Sequence, residues 1–194
     1  MPFANLLLNI RKLNNITRWS NEYLHQRASV AEHSFFVAQL AQLLGFIEEE
    51  HGQKVNWESL YRKALNHDVP EALVGDVIST TKNVNEQIKK TIKTVEETLV
   101  AEFLTGPLPS PYRKRYEDAL SEGKDESLEG EILRAADNID ALIECILEIR
   151  LANTEPFMEK YLVILEKIKV IPLKSVDYFL KQILPYLAGE CKIV

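Results

Sequence analysis

Apolar residues recur along this chain at steps of three and four, the spacing of helices that bury one face. Phe3, Leu6, Leu7, Ile10 and Leu13 form the first stripe, and residues 14–28 interrupt it without a pattern of their own. Ser29-Val30-Ala31-Glu32 then reads as a capping box, in which serine and glutamate side chains satisfy each other's free backbone amides, and it predicts a helix over about 30–49. Asn56 suits the cap of a helix carrying Trp57, Leu60, Ala64 and Leu65, which runs into His67-Asp68 before Pro70 disturbs the backbone. A loop is expected over 75–84.

Ile88, Ile92, Val95, Leu99 and Phe103 predict a long helix that Gly106 and Pro107 end. A short helix over 112–120 and an acid-rich turn follow. Leu128, Ile132, Ala135, Ala136, Ile139, Leu142, Ile143 and Ile146 then mark a helix apolar over a wide face. Pro156 suits the first position of a helix bearing Phe157, Tyr161, Leu165 and Ile168. Ser175 suits the cap of a last helix bearing Val176, Phe179, Leu180 and Ile183. Val170-Ile171 reads as a helix end rather than a strand, and the proline-rich residues 107–111 are too few to separate domains. The expectation is an all-α fold with residues 1–194 in a single domain.

Composition narrows what such a fold could do. With 194 residues, 46% hydrophobic and 27% charged, the chain buries roughly 70% of its unfolded surface and needs no metal merely to hold a core. A metal here would serve function. Two cysteines make a poor disulfide framework, and with no apolar leader or uncharged apolar run of 18 residues the expected setting is cytoplasmic, off the membrane. The net charge of -6 argues against nucleic acid as a partner. That charge is uneven: Arg11, Lys12, Arg18 and Arg27 face a single acid, Glu22, in the first 27 residues, whereas acids dominate from Glu117 to Glu148.

The chemistry-bearing residues lie on the predicted helices. His67-Asp68 alone is a weak signal, because four histidines and seven aspartates in this length give about 0.14 such dipeptides by chance. Neighbours on a helix point about 100 degrees apart, so the pair converges on one ion only where the helix ends, as Pro70 suggests. Asp137 sits among Ala135, Ala136 and Ile139, where a buried carboxylate is costly without a cation or hydrogen bonds. Asp140 and Glu144 nearby leave open that this face meets water. With His33, the three make two imidazoles and two carboxylates, a set that suits Mn, Fe, Co, Ni, Zn or Mg and phosphate ester hydrolysis.

The order His33, His67-Asp68, Asp137 over helices resembles the HD-domain metal-dependent phosphohydrolase superfamily. Arg18-Trp19, Ser29-Val30-Ala31-Glu32-His33-Ser34, His67-Asp68-Val69-Pro70-Glu71 with Gly75-Asp76, and Ala136-Asp137 further resemble the 5'-deoxynucleotidase family, across about residues 3–185. The resemblance implies an HD fold, a homodimer, and removal of phosphate from deoxyribonucleoside 5'-monophosphates. It implies a divalent metal held by His33, His67, Asp68 and Asp137, with Glu71 handling protons and Arg18 clamping the phosphate. Asp76 would accept from the sugar 3'-hydroxyl, and Trp19 would crowd C2' against a ribose hydroxyl. Two alternatives stay open: an HD phosphohydrolase acting on nucleoside triphosphates, cyclic nucleotides or alarmones, and a nucleotide-sensing module that does not hydrolyse.

Overall fold

A computed structural model describes residues 2–75, 85–106 and 108–189. Its helices are α1 (Pro2–Arg11), α2 (Val30–Glu50), α3 (Trp57–Asn66), α4 (Glu71–Val74), α5 (Glu86–Leu99), α6 (Ser110–Ser121), α7 (Leu128–Arg150), α8 (Thr154–Lys169), α9 (Lys174–Tyr178) and α10 (Leu184–Gly189). A 3-10 turn (Lys12–Asn14) follows α1, and π-helical turns extend α5 (Val100–Thr105) and join α9 to α10 (Phe179–Ile183). There is no strand among the described residues, only one antiparallel bridge, Thr17 to Ser29. The loop expected over 75–84 falls, after Gly75, outside the described residues, as do Pro107 and Cys191.

Local chemistry explains where the site-bearing helices begin. Ser29 and Glu32 form the reciprocal capping box at α2, Asn56 accepts from the Ser59 amide at α3, and Ser127 accepts from the Gly130 amide at α7. Fourteen of the 23 residues of α7 are buried, which makes it the central helix, packed by α2, α3 and α8. Gly45 lets α2 and α3 meet closely, since a Cβ there would lie 2.8 Å from the Trp57 ring.

Among the described residues, buried apolar side chains form two clusters. The larger joins Val37, Ala41 and Leu44 with Leu60, Ala64, Ile139, Leu142, Ile146, Phe157 and Ile168. The smaller joins Leu6, Leu13, Val30, Val69, Ala72 and Leu108. His33 lies between Val30 of one and Val37 of the other, so its helix face crosses the seam between them. By length and composition α2 is apolar enough to cross a membrane, yet here it lies across the core, with His33 and Glu48 buried and hydrogen-bonded to Asp140 and to the Ser175 amide.

Four sequence expectations need correction. Leu65, Phe3 and Leu7 are exposed rather than core. The stripe on α5 has the helical period, but none of its residues is fully buried: Ile88, Ile92 and Leu99 are half-buried and Val95 is exposed. Pro156 is the third residue of α8, a position whose amide also lacks an intrahelical partner. Ser175 is not a cap: Leu173 precedes α9, and the buried Glu48 carboxylate accepts the Ser175 amide at 2.6 Å, doing a cap's work from another helix.

The loop before α7 is pinned to α3 through Lys63, whose buried ammonium contacts Asp125 at 2.6 Å and the Gly123 carbonyl at 3.1 Å. Hydrogen bonds from Lys63 and Ser127 hold the Asp125 carboxyl down at about 2. A carboxyl depressed in the fold stabilises above its unfolded value, near 4, and loses that effect as pH falls through its folded value. Asp125→Asn is therefore expected to lower Tm by about 2–4 °C at pH 7. The gap should close between about pH 4 and 2 in calorimetric scans.

Candidate metal centre and substrate face

The capping box fixes the start of α2 and so places His33 one turn in, fully enclosed. His67 is the residue that closes α3, and Asp68 begins the turn into α4, where the Glu71 amide donates to the Asp68 carbonyl. The helix end is what allows the neighbours His67 and Asp68 to converge. Asp137 enters from the middle of α7.

His33 Nδ1 donates to Asp140 Oδ2 at 2.6 Å, and His67 Nδ1 donates to the Ala64 carbonyl at 2.9 Å. Both rings are thereby oriented with Nε2 facing inward, 3.4 Å apart. Asp68 Oδ2 lies 3.1 Å from His67 Nε2 and 3.3 Å from His33 Nε2, and Asp137 Oδ1 lies 3.1 Å from His33 Nε2. The donor atoms of His33, His67 and Asp68 fall within 4.8 Å of one another. Asp137 is the outer member, its other oxygen turned to Lys124 Nζ.

Facing imidazole lone pairs beside two carboxylates repel unless a proton or cation lies among them, and two nitrogens with carboxylate oxygens fit a divalent first-row ion. Burial pulls the His33 imidazole down, but hydrogen bonds to Asp137, Asp140 and Asp68 outweigh it and carry it up to about 11. Burial also works against the Asp68 and Asp137 carboxylates. His67 and His33 hold Asp68 well below the usual range, and Lys124 and His33 do the same for Asp137. The His33 side chain has no exposed surface, whereas Asp68 and Asp137 keep 15% and 22%, so the cluster opens on its carboxylate side.

Arg18 and Trp19 reach α7 one to two turns beyond Asp137. Arg18 Nε donates to Glu144 Oε2 at 3.0 Å, and Trp19 Nε1 donates to the same oxygen at 2.9 Å. Burial opposes the Arg18 charge, and Glu144, Asp137 and Asp68 more than restore it. Glu71 is buried at the start of α4, three residues after Asp68. Asp76 lies outside the described residues. Of the basic residues near the N-terminus only Arg18 is drawn in; Arg11, Lys12 and Arg27 are exposed, as are His25 and His51.

Sequence reasoning missed Asp140, Glu144, Glu148 and Lys124. Asp137, Asp140, Glu144 and Glu148 follow one another at steps of three, four and four, an arc of about 80 degrees at 100 degrees per residue. That spacing was the available signal. Asp140 and Glu148 are buried rather than wet, and Glu148 accepts the His25 and Gln26 amides at 3.0 and 2.8 Å. Asp140→Asn keeps an acceptor for His33 Nδ1 but removes its charge. It is expected to weaken divalent-ion binding about 10- to 100-fold, measured by calorimetric titration with Mn(II); unchanged affinity would deny Asp140 an orienting role.

The family model described as 5'-deoxynucleotidase YfbR-like matches residues 5–187. A 5'-deoxynucleotidase of Klebsiella pneumoniae (strain 342) is 29% identical over 161 residues, 82% of this chain and 80% of that protein. The 5'-deoxynucleotidase YfbR of Escherichia coli is 26% identical over 186 residues, 95% and 92% of the two chains. The crystal structure of an HD-domain phosphohydrolase from Listeria innocua is 38% identical with a TM-score of 0.91, covering 100% of this chain and 92% of that one. An HD phosphohydrolase of cyanophage S-2L, solved with dA and one catalytic Zn2+ ion, shares the fold at a TM-score of 0.63, with 16% identity and 94% and 96% coverage. With its all-α architecture and its histidine and aspartate cluster, this chain belongs to the YfbR-like 5'-deoxynucleotidase family of HD-domain phosphohydrolases.

Proposed function

We propose that the chain, as one HD domain over residues 1–194, hydrolyses deoxyribonucleoside 5'-monophosphates to deoxynucleoside and phosphate. The observation that carries this is the inward convergence of His33 and His67 Nε2 on Asp68 and Asp137, beside the Arg18-Trp19 pair. His33, His67, Asp68 and Asp137 would hold one divalent cation, of the set Co, Mn, Zn, Fe, Ni or Mg that their mixed nitrogen and oxygen donors suit. When bound, the ion draws electron density from a phosphoryl oxygen and acidifies water.

The chain's own residues do the rest. Arg18 offers a planar fork to two phosphate oxygens, a geometry lysine cannot match. Glu71, buried three residues after Asp68 at the start of α4, takes a proton from the attacking water or gives one to the leaving sugar oxygen. Trp19 lies against C2' of the sugar, where a hydroxyl would be crowded and stripped of water. Asp76 accepts from the 3'-hydroxyl. Exposed Phe35, Phe36, Leu43 and Phe46 on α2 support a homodimer, and a cytoplasmic setting accords with a sequence of two cysteines. Neither nucleic acid nor membrane is a partner in this reading.

Phosphate release from dAMP, AMP, dATP and a cyclic dinucleotide with Co(II) or Mn(II) tests it. Turnover of dAMP well above AMP is expected. Preference for dATP or the cyclic substrate would place the chain with another HD chemistry, and binding without release would make it a sensor.

A further inference from the structure

We propose that Glu144 is a positioning residue that sets phosphate recognition and sugar discrimination together. Its carboxylate is the shared acceptor for the two side chains that face the substrate: Oε2 takes Arg18 Nε at 3.0 Å and Trp19 Nε1 at 2.9 Å, and Oε1 lies 3.2 Å from Arg18 Nε. The ion pair is largely shielded, with 13% and 17% of the two side chains exposed. The inference rests on the reading above, that Arg18 meets the phosphate and Trp19 the deoxyribose.

For Arg18, the contact uses the Nε edge. Neither Nη group has a hydrogen bond to a described residue, so the anchored guanidinium keeps its Nη fork for two oxygens of a phosphate. For Trp19, the backbone stands at φ 52, a left-handed conformation that a bulky side chain disfavours and that tertiary contacts must hold. The indole is fixed on two sides, by Glu144 and by an edge contact with Phe157 at 6.0 Å and 80°. Glu144 supplies the directional bond that fixes the ring's rotation.

Glu144 also ties these groups to the metal cluster. Asp137 and Asp140 on the same face of α7 contact His33, so one rigid helix sets the spacing between His33 and the Arg18-Trp19 pair. The segment carrying that pair has other anchors: the Arg18 amide donates to Ala28, Val30 to Ile16, and the His25 and Gln26 amides to Glu148. Removing Glu144 should therefore loosen two side chains and leave the segment in place.

The test is steady-state kinetics on dAMP and AMP with the metal-loaded full chain, comparing wild type, Glu144→Leu and Glu144→Gln, with Arg18→Ala and Trp19→Ala as references. Glu144→Leu is expected to raise KM for dAMP at least tenfold with a smaller change in kcat, and to shrink the dAMP to AMP ratio of kcat/KM at least fivefold at unchanged metal content. Glu144→Gln, whose carbonyl oxygen still accepts from both donors, should restore most of the ratio and part of KM. Wild-type KM and ratio in Glu144→Leu overturn the proposal, as does a loss confined to Tm. If Glu144→Leu does not fold, Glu144→Ala takes its place, and wild-type KM and ratio in that variant overturn the proposal as well. If Arg18→Ala and Trp19→Ala themselves leave KM and ratio unchanged, the underlying substrate reading has failed, and the proposal falls with it.

Discussion

Asp68→Ala is expected to lower phosphate release from dAMP by at least about 10³-fold, beyond the 10- to 100-fold typical of losing an outer partner of a metal ligand. Among the described residues, Asp68 Oδ2 is the carboxylate oxygen close to both histidine Nε2 atoms, 3.1 and 3.3 Å away. Without it the cluster keeps two imidazoles and Asp137, whose second oxygen is already committed to Lys124. Metal content should fall along with activity, and adding Mn(II) in excess should recover only part of the loss. Wild-type turnover with wild-type metal content would remove Asp68 from the metal set.

Glu71→Gln should act differently. The amide matches the carboxyl in shape but cannot carry a proton, so kcat is expected to drop about 10²- to 10⁴-fold while KM and metal content change little. The kcat against pH profile should lose one of its limbs in the same variant. Equal loss of metal would instead mean that Glu71, buried three residues after Asp68, supports the cluster rather than the proton transfer. The two variants thus separate holding an ion from moving a proton.

Much of this site could be read from residues alone because local rules position it. The Ser29 and Glu32 box starts α2 one turn before His33, and Asn56 starts the helix that ends at His67. The apolar setting of Asp137 also marked a carboxylate that needed partners. What could not be read was the company that α7 brings. Asp140 and Glu144 looked like a sign that this face meets water, since an acid's surroundings depend on the element packed opposite it. The partners are His33, on α2, and Arg18 and Trp19, in a segment with no periodicity at all.

The same limit explains the apolar stripe of α5. Its period correctly marks a helix, but period says nothing about how completely its neighbours cover it, and Val95 and Phe103 remain about half exposed. Conversely, Glu48 and Glu148 are charged residues enclosed almost completely, Glu48 accepting the Ser175 amide and Glu148 the His25 and Gln26 amides, all far away in sequence. Burial of charge follows from three-dimensional hydrogen-bond supply.

Anomalous diffraction from crystals grown with Mn(II) or Co(II) locates the ion independently of any activity. A single strong peak among His33 Nε2, His67 Nε2, Asp68 and Asp137 is expected. A peak held by other residues, or none in crystals of enzyme that releases phosphate from dAMP, would contradict the assignment of these four side chains as the metal centre.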